Sequence, residues 1–269
     1  LSLITHDQSA YKKALRPAQN HRINNSRWLV VNAPSAAFAD ACGMEKPEFD
    51  EFYKKVCLLD YSRMAKAVMP LKEFMDQAQK VHIVGPGTDL QFSIEGLKSQ
   101  PCVGERNVPD GECYTAPVKM SVNGQIAFGP SVYDGKTFFR LDLRYTEGYI
   151  TAATAGNAAE TEELNRILNR DAGARFTGEF AIGFNPHITA PVGDILFDEK
   201  QAKSIHIAQG QAYEGNTDNG NRSSVHWDMV HSQATEYGGG QIWVDDKLIR
   251  QDGLFIDSEL VGLNPENLI

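Results

Sequence analysis

Residues 81–96 read VHIVGPGTDLQFSIEG, a strand, a Gly-Pro-Gly turn and a second strand. This stretch decides the fold class, because the texture of the chain changes here from helical to β. Downstream, short runs rich in Val, Ile, Phe, Tyr and Thr fill 112–153, separated by the turn signals VNGQ, YDGK and TEGY. Further strands are expected at 179–184, 204–211, 224–231 and 241–244, and QIWVDD with KLIRQDG forms a hairpin turning at Asp245-Asp246. One helix interrupts them, AAETEELNRILNR (158–170), with Leu164, Ile167 and Leu168 as its buried stripe.

Upstream the pattern is mainly helical. THDQSAYKKALRPAQN (5–20) reads as a helix broken at Pro17, and RWLVVNAP (27–34) as a short strand. KPEFDEFYKKVCLL (46–59) carries Phe49, Phe52, Tyr53 and Val56 at i, i+3, i+4, i+7, the spacing of an amphipathic helix; another helix covers 60–79 with a break at Pro70. With no repeated βαβ unit, the expectation is an α+β protein. A helical N-terminal segment, 1–80, is followed by a β-rich unit, 81–269, built on a curled or barrel-like mixed sheet with a few helices.

The 269 residues suffice for a substantial core, and 42% hydrophobic with 23% charged residues is ordinary for a globular chain. A net charge of −9 with no basic stripe argues against a nucleic-acid partner. Cys42, Cys57, Cys102 and Cys113 show no C-x-x-C spacing and fit free thiols in a reducing cytoplasm. No run approaches 18 apolar residues, so no membrane span is expected.

H-E-x-x-H, G-x-S-x-G, the phosphate loop and G-x-G-x-x-G are all absent. GPGTDL (85–90) is a turn, since Pro86 removes an amide that a phosphate cradle would use. Four segments are instead dense in possible metal ligands: Glu112 in RNVPDGECYTAP, Glu179 in TGEFAIGFNPHI, His206 with Tyr213 in SIHIAQGQAY, and His226 with Asp228 in SSVHWDMV. Each also has a purely structural reading. Glu112 caps a turn, Glu179 ends a strand in a salt bridge, His206 is a satisfied core histidine, Tyr213 is a rim aromatic, and His226 hydrogen-bonds Asp228. Together, three carboxylates and two imidazoles in apolar strands need a common counter-charge. Oxygen and nitrogen donors without thiolate suit zinc, cobalt, manganese or magnesium in a two-metal site.

The segments GPGTDLQFSIEG, NVPDGECYTAP, GEFAIGFNP, ILFDEKQAKSIHIAQGQAY, GNRSSVHWDMV and VDDKLIRQDG, in this order, resemble the thermophilic-type metalloaminopeptidase family (the aminopeptidase T, aminopeptidase S and PepS group). The likeness covers nearly all of 81–253. It implies six metal ligands, Glu112, Glu179, His206, Tyr213, His226 and Asp228, around two divalent metal ions, and a homodimer. It also implies that most of the family's N-terminal domain is missing, in keeping with a first residue Leu1. The family's GTNPGI loop is GFNPHI here, so Phe184 and His187 are expected to alter the edge of the site.

The implied chemistry is release of the N-terminal residue from short peptides by a metal-activated water. Six side chains fill two coordination spheres only if a carboxylate bridges, and Glu112 or Glu179 is the candidate. Tyr213 binds as a phenolate or stabilises the oxyanion. No general base is assignable; Asp110 and Asp218 are the nearby acids. Arg222 either orients a peptide carboxylate or pairs with a surface acid. His231 falls on the strand face opposite His226, and His187 either lines the substrate pocket or is a plain loop histidine. The competing readings are a two-metal hydrolase of another amide bond and a non-catalytic metal-binding module.

Overall fold

A computed structural model of the chain describes Leu15, residues 17–18, 21–23 and 25–269. The helix expected over 5–20 lies largely outside the described residues. Among the rest, the upstream part is helical as read. Lys46–Cys57 is one helix, burying Phe49, Val56 and Cys57. The 60–79 stretch divides into Tyr61–Ala67 and Met69–Gln77, with Pro70 in the first turn of the second helix, where its missing N–H costs nothing. The 27–34 run is strand only at Val30–Val31, a two-residue parallel pairing with Asn107–Val108 that leaves both valines exposed.

Two large antiparallel sheets follow, beside a two-stranded one that pairs Ser131–Tyr133 with Lys136–Phe138. The larger has eight strands, in the spatial order Tyr149–Ala155, Leu141–Thr146, Asn123–Phe128, Thr88–Ser93, Lys80–Gly85, Gln241–Val244, Lys247–Gln251 and Leu254–Phe255. The smaller runs His226–Ser232, Ser204–Gly210, Thr177–Gly183, Glu112–Thr115, Gln100–Cys102. Both sheets stay open, so the α+β organisation holds without a closed barrel.

Local turn chemistry sets the hairpins. Gly85 pairs with Thr88 across Pro86-Gly87, and Val244 pairs with Lys247 across Asp245-Asp246. Both aspartates have positive φ, 47° and 63°, the two left-handed residues a type I′ turn requires. Ala158–Leu168 starts at Asn157, whose side chain accepts from the Glu160 amide, and buries Leu164, Ile167 and Leu168 as the periodicity predicts.

One continuous core lies between the sheets. Trp227, Met229, Ile205, Ile207, Phe180 and Ile182 enter it from the smaller sheet, Ile83, Leu90, Ile126 and Leu143 from the larger, and Met64, Leu71 and Met75 from the helices. Arg250, 1% exposed, fastens the two sheets: its guanidinium donates to the Ser204 carbonyl at 2.8 Å and to the Gly253 carbonyl at 2.8 Å. A second apolar cluster joins Val56 and Cys57 to Ile188, Val192 and Phe197.

Candidate metal centre

The smaller sheet assembles the site by strand alternation. Register pairs Gly210 with His226, Ala208 with Asp228 and with Glu179, Ala181 with His206 and with Tyr114, and Gly183 with Glu112. Alternate residues share a face. His226, Asp228, His206, Glu179 and Glu112 therefore point one way, while Trp227 and Met229 enter the core on the other side. Between the functional residues stand Ala181, Ala208, Gly183 and Gly210, which leave the space above them open. Gly210 is required for a further reason: its φ is +98°, and a Cβ there would lie 2.2 Å from the Val225 carbonyl oxygen.

His206 Nε2 lies 3.6 Å from Glu112 Oε2, 3.5 Å from Glu179 Oε1 and 4.0 Å from Asp228 Oδ1. His226 Nε2 lies 3.4 Å from both Glu179 Oε2 and Asp228 Oδ1. These separations exceed a good hydrogen bond, and the atoms converge without bonding one another. Both imidazoles are oriented from behind: Nδ1 of His206 faces the Glu199 carbonyl at 3.0 Å, and Nδ1 of His226 the Gln211 carbonyl at 2.8 Å. A carbonyl only accepts, so Nδ1 carries the proton and the Nε2 lone pair of each neutral ring points inward.

Glu112 Oε2, His226 Nε2 and Asp228 Oδ1 are buried without a hydrogen-bond partner. Such atoms cost about 1–3 kcal/mol each when left unsatisfied, and all three face one volume. The donor set therefore fits divalent cations. Among the described residues three ligand triads lie within coordination reach: Cys102–Asp110–Glu112, Glu112–Glu179–His206 and Glu179–His226–Asp228. The last two share Glu179, while in the first Asp110 is engaged by the amides of Gly104 and Gly111.

Charge tells the same story. Burial pushes the Glu112 carboxyl up to about 8, against the pull of Lys200. Burial would depress His206, yet the carboxylates of Glu179, Glu112 and Asp228 lift it to about 10. Asp228 is driven well below the carboxylate range, since His226 outweighs its burial. In the absence of cations the imidazoles thus take protons to balance the acids.

Three residues join the site beyond the six. Lys200 is fully buried; its Nζ is 2.5 Å from Glu112 Oε1, 2.6 Å from Glu199 Oε1 and 3.8 Å from Asp110 Oδ1. Asp110 was near in sequence, and its carboxylate is occupied by the amides of Gly104 and Gly111. Glu199 and Lys200 had no signal of their own. They sit in the turn after the short helix Ile195–Asp198, where no periodicity marks a side chain.

The carboxylates of Glu112, Glu179 and Glu199 form the floor of a cavity of about 830 Å³. Tyr213 stands on its wall, 46% exposed, with its ring between Tyr114 (5.1 Å) and His226 (5.2 Å). Arg222 pairs with Asp218 at 2.8 and 2.5 Å, the surface pairing rather than a free guanidinium, and this removes Asp218 as a base. His231 is on the face opposite His226, its Nδ1 2.7 Å from the Ala127 carbonyl. The expected edge residues do not reach the site. Phe184 is 1% exposed in the core between the sheets, continuing the alternation that puts Phe180 and Ile182 there, and His187 lines a separate shallow groove with Phe52 and Lys55.

Known proteins bear out the likeness. Residues 2–255 match the family model of the thermophilic metalloproteases, M29. Aminopeptidase T of Thermus aquaticus is 33% identical over 187 residues, and that of Thermus thermophilus 34% over 185. Each alignment covers 59% of this chain and 44% of the relative, so the aligned region spans less than half the length of those enzymes. The solved structure of wild-type AmpT from Thermus thermophilus superposes with a TM-score of 0.75 at 24% identity, over 91% of this chain and 69% of that one. A 2,5-dihydroxypyridine dioxygenase from Pseudomonas putida KT2440 shares the fold at a TM-score of 0.65 and 16% identity, over 92% and 77%. The sequence motifs, the convergent face of the smaller sheet and the match across 2–255 lead to one conclusion: the chain belongs to the thermophilic metalloprotease (M29) family.

Proposed function

We propose that this chain carries the catalytic machinery of a metal-dependent aminopeptidase that holds two divalent cations and releases N-terminal residues from peptides. The observation that carries the reading is the pair of ligand triads sharing Glu179, with buried acceptors left unpartnered between them. Charge supports the number of cations. Asp110, Glu112, Glu179, Glu199 and Asp228 against Lys200 leave four negative charges with neutral imidazoles, the charge of two divalent ions.

Glu112, Glu179 and His206 would hold one cation and Glu179, His226 and Asp228 the other. Of the two candidate bridges Glu179 is preferred, because its two oxygens face different imidazoles while Glu112 Oε1 is taken by Lys200. Zinc, cobalt, manganese and magnesium all accept this donor set. Bound there, the ions supply an acidified water and a polarised carbonyl. Glu199, paired to Lys200 through Oε1, would use its other carboxylate oxygen to accept a proton from water and pass it to the departing amine. It lies on the cavity floor, burial raises its carboxyl, and it stands outside both triads. Tyr213 would complete the ligand set from the wall of the cavity; although its ring is part-exposed, the surroundings of its hydroxyl and the nearby Glu179 hold the phenol well above the usual range, so the neutral form is favoured in the metal-free chain.

On the same reading the chemistry resides in 81–269, with 1–80 as a flanking, mainly helical segment, and the protein works as a homodimer in the cytoplasm. No helix among the described residues is long and apolar enough to cross a membrane. Structural metal sites are closed, and the open cavity of about 830 Å³ disfavours a purely structural ion. Glu179→Gln tests the assignment. Loss of bound metal, together with loss of leucine release from leucyl peptides, is expected; full metal occupancy with undiminished turnover overturns it.

A further inference from the structure

The cavity floor is acidic, but its rim holds a guanidinium placed for a different task. Arg106 lines the same cavity as Glu112, Glu179 and Glu199, six residues before Glu112 in the chain. Its guanidinium lies 4.6 Å over the Trp28 ring, Nη1 reaches the Ile23 carbonyl at 3.4 Å, and its own carbonyl accepts from the Val30 amide at 2.8 Å. Trp28 is fixed in turn, its indole N–H donating to Ile23 at 3.2 Å. Among the described residues no carboxylate pairs with Arg106, whereas the other guanidinium of this cavity, Arg222, is neutralised by Asp218. A planar fork held by an aromatic face loses little freedom when it binds a carboxylate in bidentate fashion.

We propose that Arg106 binds the C-terminal carboxylate of short peptides whose N terminus lies on the acidic floor, so that the cavity selects peptides with a free C terminus. The inference rests on the aminopeptidase reading and assigns that site its substrate class. Glu105 and Glu214 share the rim and repel an anion. Without Arg106 the mouth is hostile to a carboxylate, and the effect of losing it is correspondingly large.

The test uses the metal-reconstituted full chain with Leu-Gly-Gly and Leu-Gly-Gly amide. For the natural protein, amidation is expected to raise KM at least tenfold with kcat little changed. Arg106→Gln is expected to raise KM for the acid to that of the amide and leave the amide unaffected, with partial recovery in Arg106→Lys. Equal KM for acid and amide overturns the proposal, as does a variant that weakens both alike. Recovery of tight binding by Leu-Gly-Glu amide assigns Arg106 to an acidic side chain and also overturns it. If neither peptide is cleaved, the aminopeptidase reading fails, and calorimetry with Gly-Gly and its amide still decides the point. Tenfold weaker binding of the amide, abolished in Arg106→Gln, upholds a carboxylate site; equal binding refutes it.

Discussion

Along Thr88–Ser93 and Leu141–Thr146 of the larger sheet, buried residues alternate with more exposed ones, whereas every residue of Thr177–Gly183 and Ser204–Gly210 in the smaller sheet is buried. The first pattern is that of a sheet with one face on the core and one toward water. In the second, both faces are covered, yet one holds carboxylates and imidazoles. A polar side chain on the larger sheet's outer face can rely on water. On the smaller sheet it must find its partner inside, and among the candidate ligands Glu112 Oε2, His226 Nε2 and Asp228 Oδ1 have none among the described residues. Full burial of a charged face is thus the mark of a site built around something other than protein.

That contrast can be broken at its sharpest point by filling the functional face. Ala208 lies between Glu179 and Asp228 in register and is fully buried. Ala208→Leu is expected to abolish stoichiometric metal binding, read by elemental analysis, while overpacking costs the metal-free fold about 1–3 kcal/mol. The same change at exposed Ala152 of the larger sheet is expected to alter neither. Next in size, Lys200→Met leaves buried carboxylates unpaired and is expected to destabilise the metal-free protein by ~3–5 kcal/mol, measured by urea unfolding in chelator. A loss below ~1 kcal/mol would mean that these acids are already neutral.

Leu143→Ala, in the core under the larger sheet, is expected to cost about 2–5 kcal/mol and to leave metal stoichiometry unchanged. A change in stoichiometry would show that the sheets are not separable in function. The smallest effect is expected from Ser131→Ala, which removes the 2.8 Å hydrogen bond of the Trp227 indole behind the site. About 1 kcal/mol is expected, seen as a lower Tm with no effect on metal content.

Much of this was legible in the sequence because it is written in local rules. The hairpins at Pro86-Gly87 and Asp245-Asp246 need only turn chemistry, and alternation alone separates His226 from His231. Lys200 and Glu199 escaped because their meaning is tertiary: a lysine in a turn looks solvated until Glu112 arrives from a strand 88 residues away. Phe184 and His187 misled in the opposite way, since closeness in sequence to Glu179 does not carry a side chain past the end of its strand. The apolar run at 27–34 shows the limit of hydropathy, for its paired valines lie exposed.

The imidazoles of His206 and His226 are both steered by main-chain carbonyls, those of Glu199 and Gln211. Every amino acid carries that acceptor. No single side-chain replacement can delete either steering contact, whereas a carboxylate in the same role could be lost by one substitution. The orientation of the nitrogen ligands is therefore inherited with the path of the backbone. Drift in the residues at 199 and 211 can retune proton transfer or the cavity wall while the two rings keep their aim.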